Sequence, residues 1–104
     1  MPSRRELLAS FIAARPHDPF PRYGLALEHK NAGELEDARG VFEALIADHP
    51  GYVAAYLHAG NTLVALGRIQ DARTVYGRGI EACQQAGDAH ARSELEGALA
   101  GLPD

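Results

Sequence analysis

The chain has no tryptophan, a single cysteine and a single methionine, and its aromatic content is limited to three phenylalanines and four tyrosines. Because Cys83 has no second thiol to meet, no intramolecular disulfide can form, and a reducing, cytoplasmic setting is expected. No apolar run approaches the roughly 20 residues that a membrane-spanning helix requires, so a membrane role is not expected. Ser3-Arg4-Arg5 ahead of Leu7-Leu8 has the look of a twin-arginine export signal, yet Arg15-Pro16-His17-Asp18 cuts the apolar stretch short. An excess of positive charge is also missing. Ten basic and fourteen acidic residues give a net charge of −4 and are mixed along the chain, so no basic footprint marks a nucleic-acid partner. At 104 residues the chain has the length of one domain, residues 1–104.

What the chain does have is a repeat of 34 residues. Gly33, Leu35, Asp37, Ala38, Arg39, Val41, Phe42 and Ile46 return as Gly67, Ile69, Asp71, Ala72, Arg73, Val75, Tyr76 and Ile80. A fixed period of this length, written in helix-forming residues, signals stacked helix hairpins.

The punctuation predicts six helices and no strand. Leu7, Leu8, Phe11 and Ile12 form an apolar stripe over 3–15, stopped by Pro16. Asp18-Pro19 reads as an N-cap followed by proline at the first helical position, where its missing N–H is not needed. That second helix runs to Ala32 and closes at Gly33. A third spans about Leu35 to Asp48, before Pro50, and a fourth spans about Val53 to Leu66, before Gly67. The fifth runs from Ile69 to about Gln85, with Gly87-Asp88 separating it from a sixth. Gln84 stands where Pro50 predicts proline, which implies a longer fifth helix or an altered turn.

Leu8, Phe42 and Tyr76 share one register, as do Ile12, Ile46 and Ile80. The first helix (3–15) is therefore the second half of a repeat whose first half is absent. Two complete hairpins follow, 19–50 and 53–86, and the helix at 88–102 opens a third that is not completed. Stacked hairpins leave apolar flanks that need end pieces with one polar side. The last helix suits that role, with Ala91, Leu95, Ala98, Leu99 and Leu102 on one stripe and His90, Arg92, Glu94 and Glu96 around it.

On these residues the chain resembles the tetratricopeptide repeat. The first full copy carries Arg22, Leu25-Ala26, His29, Ala38, Phe42 and Pro50; the second carries Tyr56, Ala59-Gly60, Leu63, Ala72 and Tyr76, with Gln84 in the proline place. Arg22 and His29 depart from the family's aromatics, and Gly79 from its alanine. The stretches from Asp18 to Ala26 and from Gly79 to Ala82 are similar to short bacterial proteins of this family, to which no activity is assigned. The resemblance implies an all-α superhelix of antiparallel hairpins, with Ala38 and Ala72 where paired helices approach most closely. It also implies that the first helix of each hairpin lines a concave face.

The groove residues expected on that face are Phe20, Tyr23, Leu27, Lys30 and Asn31 in the first repeat. Ala54, Leu57, Asn61, Val64 and Ala65 match them in the second. Tyr23, an exposed aromatic beside leucines, is the expected centre of an apolar contact patch, with Lys30, Asn31 and Asn61 as its polar groups. Against this, Leu27, Leu57 and Val64 could serve to pack neighbouring repeats, and Phe20 could seal the first turn. Family members that grip a carboxylate tail place Lys and Asn at set groove positions. Here Tyr23, Leu27 and Leu57 take three of those places and only Asn61 matches, so that specificity is not expected.

No convergent set of acids, bases and nucleophiles points to catalysis, and neither a cofactor nor a metal is expected. Cys83 reads as a small core residue. The histidines at 17, 29, 49, 58 and 90 include no pair at the i, i+4 spacing of helical metal ligands, although His29 and His58 could meet across neighbouring first helices. Gly24, Gly33 and Gly40 follow no strand and form no phosphate loop. The expected function is a non-catalytic module binding a protein or peptide. The alternative is a self-assembling protein that buries its groove or flank in a homo-dimer.

Overall fold

A computed structural model describes all 104 residues as six α-helices and no strand. They are α1 (Arg4–Ala14), α2 (Pro19–Asn31), α3 (Leu35–Asp48), α4 (Ala54–Ala65), α5 (Ile69–Ala86) and α6 (Ala89–Ala100). Side chains cap three of the starts. Ser3 accepts from the Glu6 amide, Asp18 from Phe20 and Asp88 from Ala91, each satisfying an amide that lacks a helical partner. Gly33, Gly67 and Gly87 take φ of 78°, 78° and 72°, the left-handed turn that ends α2, α4 and α5. The missing proline at position 84 lets α5 run to 18 residues, four more than α3. Only Gly87-Asp88 then remains to turn the chain into α6.

Each helix packs antiparallel on the next, and α4 also touches α2 and α6. The helices α1, α3 and α5 make no such contact with one another. The first helices of the hairpins thus close ranks on one side while the second helices splay apart on the other, which bends the array into a slab of 45 × 29 × 19 Å. No helix is long and apolar enough to cross a membrane.

Small residues set the helix separations. Ala38 and Ala72 are 0% exposed, packed in the core on α3 and α5. In the second hairpin two tyrosines and two glycines interlock. A Cβ on Gly60 would lie 2.2 Å from the Tyr76 ring, and one on Gly79 would lie 2.6 Å from Tyr56 Cβ and 2.9 Å from Leu95 Cδ1. Phe42, Leu45, Ile46, Leu63 and Cys83 complete the continuous core.

The ends differ. Of the predicted stripe on α1 only Leu8 is buried; Leu7 and Phe11 remain 44% and 54% exposed. The period gives the reason. Phe11 occupies the place of Leu45, which is fully buried, whereas α1 packs on α2 alone and leaves Phe11 uncovered. At the other end Leu95 is 1% exposed, and Ala91, Ala98 and Leu99 pack on the core, so α6 spends its apolar stripe inward.

Candidate functional site

The concave side is built on α2 and α4, with α6 as a third wall. Period and cap together place Tyr23 one turn into α2, and its ring does not stand free. It meets Tyr52 at 5.4 Å, His58 at 5.8 Å and Phe42 at 6.5 Å between ring centroids, in tilted and edge-on geometries that suit aromatic quadrupoles. His58 in turn stacks nearly parallel to Phe42. The expectation of an exposed Tyr23 is corrected accordingly: the residue is half-buried, and one face of it belongs to this cluster. Burial raises the Tyr23 phenol, with a smaller push from Tyr52.

Beside the cluster opens a pocket of about 230 Å³ bounded by Tyr23, Val53, Ala54, Leu57, His58 and, from α6, Ala91, Glu94 and Leu95. Its walls are mostly apolar, with His58, Glu94 and the Tyr23 phenol as the ionisable groups. Lys30 lies at its border, its Nζ 3.2 Å from His58 Nδ1. Burial lowers the Lys30 ammonium, and burial together with the Lys30 charge lowers His58, against a weaker upward pull from Glu94. A second shallow depression of about 390 Å³ lies further along, lined by Asn61, Val64, Tyr76, Ala98 and Leu102 among others.

The remaining sequence-derived candidates take different positions. Phe20 is 69% exposed and therefore does not seal the first turn. Leu27 and Leu57 are half-buried against the core, and Leu57 still shows one side to the pocket. Asn31 is exposed at the end of α2, and Val64 is 36% exposed. Asn61 was expected as a polar group of the groove, but its Oδ1 accepts a hydrogen bond from the buried Tyr76 hydroxyl, which commits that oxygen to the hairpin. Ala54 and Ala65 are exposed on α4.

His29 and His58 do not pair. His29 Nδ1 lies 2.9 Å from Glu34 Oε1, while His58 turns to Lys30. Asp37 brings a third potential ligand atom to within 4.8 Å of those of His29 and Glu34, but Arg5 already reaches Glu34 from α1. That guanidinium, followed by His29, holds the Glu34 carboxyl below its ordinary value and ties α1 to the turn between α2 and α3. Cys83 is buried, and burial, then Asp88, raises its thiol, the environment of an inert core cysteine.

Sequence reasoning missed His58 as a groove residue, and it missed the wall that α6 supplies. The signal for the wall was present in the apolar stripe through Ala91 and Leu95. For His58 there was none, since the period pairs it with Gly24.

A family model described as tetratricopeptide repeat matches residues 31–99. Among solved structures, the chain is similar to a tetratricopeptide repeat domain protein from Salinibacter ruber. Its solution NMR structure is 39% identical over 82% of this chain and 86% of that one, with a TM-score of 0.77. Its crystal structure is 38% identical over 80% and 92%, with a TM-score of 0.76. A protein from Bordetella parapertussis, also solved in solution, is 25% identical over 96% of this chain and 87% of that one, with a TM-score of 0.81. No curated protein matches the chain.

Proposed function

Because this chain belongs to the tetratricopeptide repeat family, whose repeats generally mediate contacts between proteins, we propose that it is a non-catalytic module that receives a peptide or helix of a partner protein on its concave face. The observation that carries this reading is the pocket between α2, α4 and α6. It is apolar, already formed, and bounded by rings that the aromatic cluster holds in place. Preformed walls reduce the ordering cost of binding, so a single apolar anchor inserted beside Leu57 and Tyr23 gains most of its contact energy. Lys30, Asn31 and Glu94 around the opening would orient the bound segment, and the Val64 depression would extend the track along α4. This reading places the module in the cytoplasm.

Ala54 offers a clean test, because it is exposed at the pocket and sits in the first turn of α4, where an acidic side chain is tolerated by the helix dipole. A random peptide library selected on the wild type should yield binders that Ala54→Glu loses while helicity and Tm are retained. Equal binding by the two proteins would remove this pocket from consideration.

A second reading, self-assembly, is favoured by Leu7 and Phe11, which leave apolar surface on the open side of α1. Light scattering across a concentration series separates the two: a monomer throughout supports the groove, whereas a dimer dispersed by Phe11→Glu supports assembly.

A further inference from the structure

Lys30 is the only lysine in the chain, and it sits in an unusual place. It is half-buried at the concave face, no carboxylate pairs with it, and its one polar side-chain neighbour is a histidine ring. Most of the arginines are held differently: Arg4, Arg5, Arg22, Arg39, Arg68 and Arg92 each pair with a carboxylate. We propose that Lys30 is a site of acyl modification, an amine nucleophile that takes an activated acyl group with His58 as the acceptor of its proton.

The geometry supplies both parts. An ammonium beside a carboxylate is held charged and unreactive, and Lys30 has no such partner. Burial favours its neutral form, the form that carries a lone pair. His58 Nδ1 lies 3.2 Å from Nζ, within reach for proton transfer. Burial disfavours the charged ring, and with Nδ1 facing Nζ the neutral imidazole is placed to accept the proton. Stacking on Phe42 and edge contact with Tyr23 fix the ring plane.

The step balances without an oxidant or metal. Neutral Nζ attacks the acyl carbonyl carbon and an N–C bond forms. The bond from that carbon to the leaving group breaks, and phosphate oxygen or thiolate sulfur departs with the electron pair. The surplus proton on nitrogen passes to His58 Nδ1 and then to solvent or the leaving group. The product is a neutral amide at the border of the pocket, where the chain previously held a cation. The proposal does not depend on the groove having a partner, because the modification is read directly by mass.

The test exposes the full chain separately to acetyl phosphate and to the acetyl thioester of N-acetylcysteamine, each with Nα-acetyl-lysine amide present as an internal competitor. Intact mass and peptide mapping follow acetylation of Lys30, the Met1 amine and the competitor. Lys30 is expected to react several-fold faster than the competitor, and the two arms report which acyl donor it prefers. His58→Phe keeps a ring against Phe42 but removes the acceptor, and should bring the Lys30 rate down to that of the competitor. His58→Gln keeps a hydrogen-bond acceptor but supplies no base, and should also react slowly, with Tm measured for each variant. A wild-type Lys30 that reacts no faster than the competitor with either donor overturns the proposal. So does an unchanged rate in a folded His58→Phe protein.

Discussion

Gly60 and Tyr76 provide the sharpest test of how the hairpins are held. A methyl group at position 60 would stand 2.2, 2.5 and 2.8 Å from three ring carbons of Tyr76, where ordinary contact begins at 3.4 Å. The ring must therefore retreat by about an ångström. It has little room to do so, since Tyr76 is 2% exposed and its hydroxyl is tethered to Asn61. Overpacking of this kind costs about 1–3 kcal/mol. The same substitution gains roughly 1 kcal/mol of helix propensity, since alanine replaces glycine in mid-helix. With the clash toward the upper end of its range, Gly60→Ala should lose about 1–2 kcal/mol, or very roughly 10 °C in Tm for a domain of this size. The control is Gly40→Ala in α3, where nothing lies within 4 Å of the added carbon, and it should be stabilised by up to about 1 kcal/mol. The first repeat carries alanine and phenylalanine, Ala26 and Phe42, at the equivalent positions. Adding Tyr76→Phe to Gly60→Ala frees the ring from its tether and should leave the double variant less destabilised than the two single losses combined. Thermal and urea melts followed by circular dichroism measure all of these. If Gly60→Ala melts with the wild type, or if Gly40→Ala falls by a similar amount, the tight crossing does not set the stability of the array.

Other perturbations probe different parts of the molecule. Ala38→Leu and Ala72→Leu place a larger side chain at fully buried core positions and should each lose about 1–3 kcal/mol in urea titration; wild-type midpoints would refute the packing role. Gly33→Ala puts a side chain at φ 78° and should cost about 1–2 kcal/mol, although a Cβ there meets no neighbour, so an unchanged melt would show that α2 can end another way. His58 is held below its ordinary 6.5, so on acidification the unfolded chain takes up that proton before the native protein does. The stability owed to the neutral ring is complete above about pH 6.5 and is lost as pH falls from there through the native value. Urea titrations on either side of pH 6.5 should show this loss in the wild type and a flatter profile in His58→Gln, and parallel profiles would remove His58 as the cause.

The helices and their order were legible because the chain copies itself. Gly33 and Gly67 mark the same turn, Phe42 and Tyr76 the same core position, and Gln84 in place of a second Pro50 left a longer α5 or an altered turn, of which the longer helix is found. The interior of the candidate site was not legible, for the complementary reason. Tyr23 was expected on the surface because it lies off the stripe of Arg22, Leu25, Ala26 and His29 that faces the partner helix, and nothing in the period places an aromatic beside it. Its actual neighbours, Tyr52 and His58, correspond to Asp18 and Gly24, and Lys30 corresponds to Val64. Residues without a copy carry no periodic signal, and their meeting depends on distances between helices that only packing decides. The exposure of Leu7 and Phe11 was hidden in the same way, since an apolar stripe does not reveal whether a second helix arrives to cover it.

The exchange of ring for hydrogen between α4 and α5, with Tyr56 over Gly79 and Tyr76 over Gly60, has a mechanical consequence. Displacing one helix along the other by even a single residue would drive each ring into a side chain instead of a vacancy. Creep is thereby forbidden, and the pair must part as a unit or stay shut. A load drawn along the array would accordingly be passed through this segment undiminished, and any yielding would begin at α1, which packs on α2 alone.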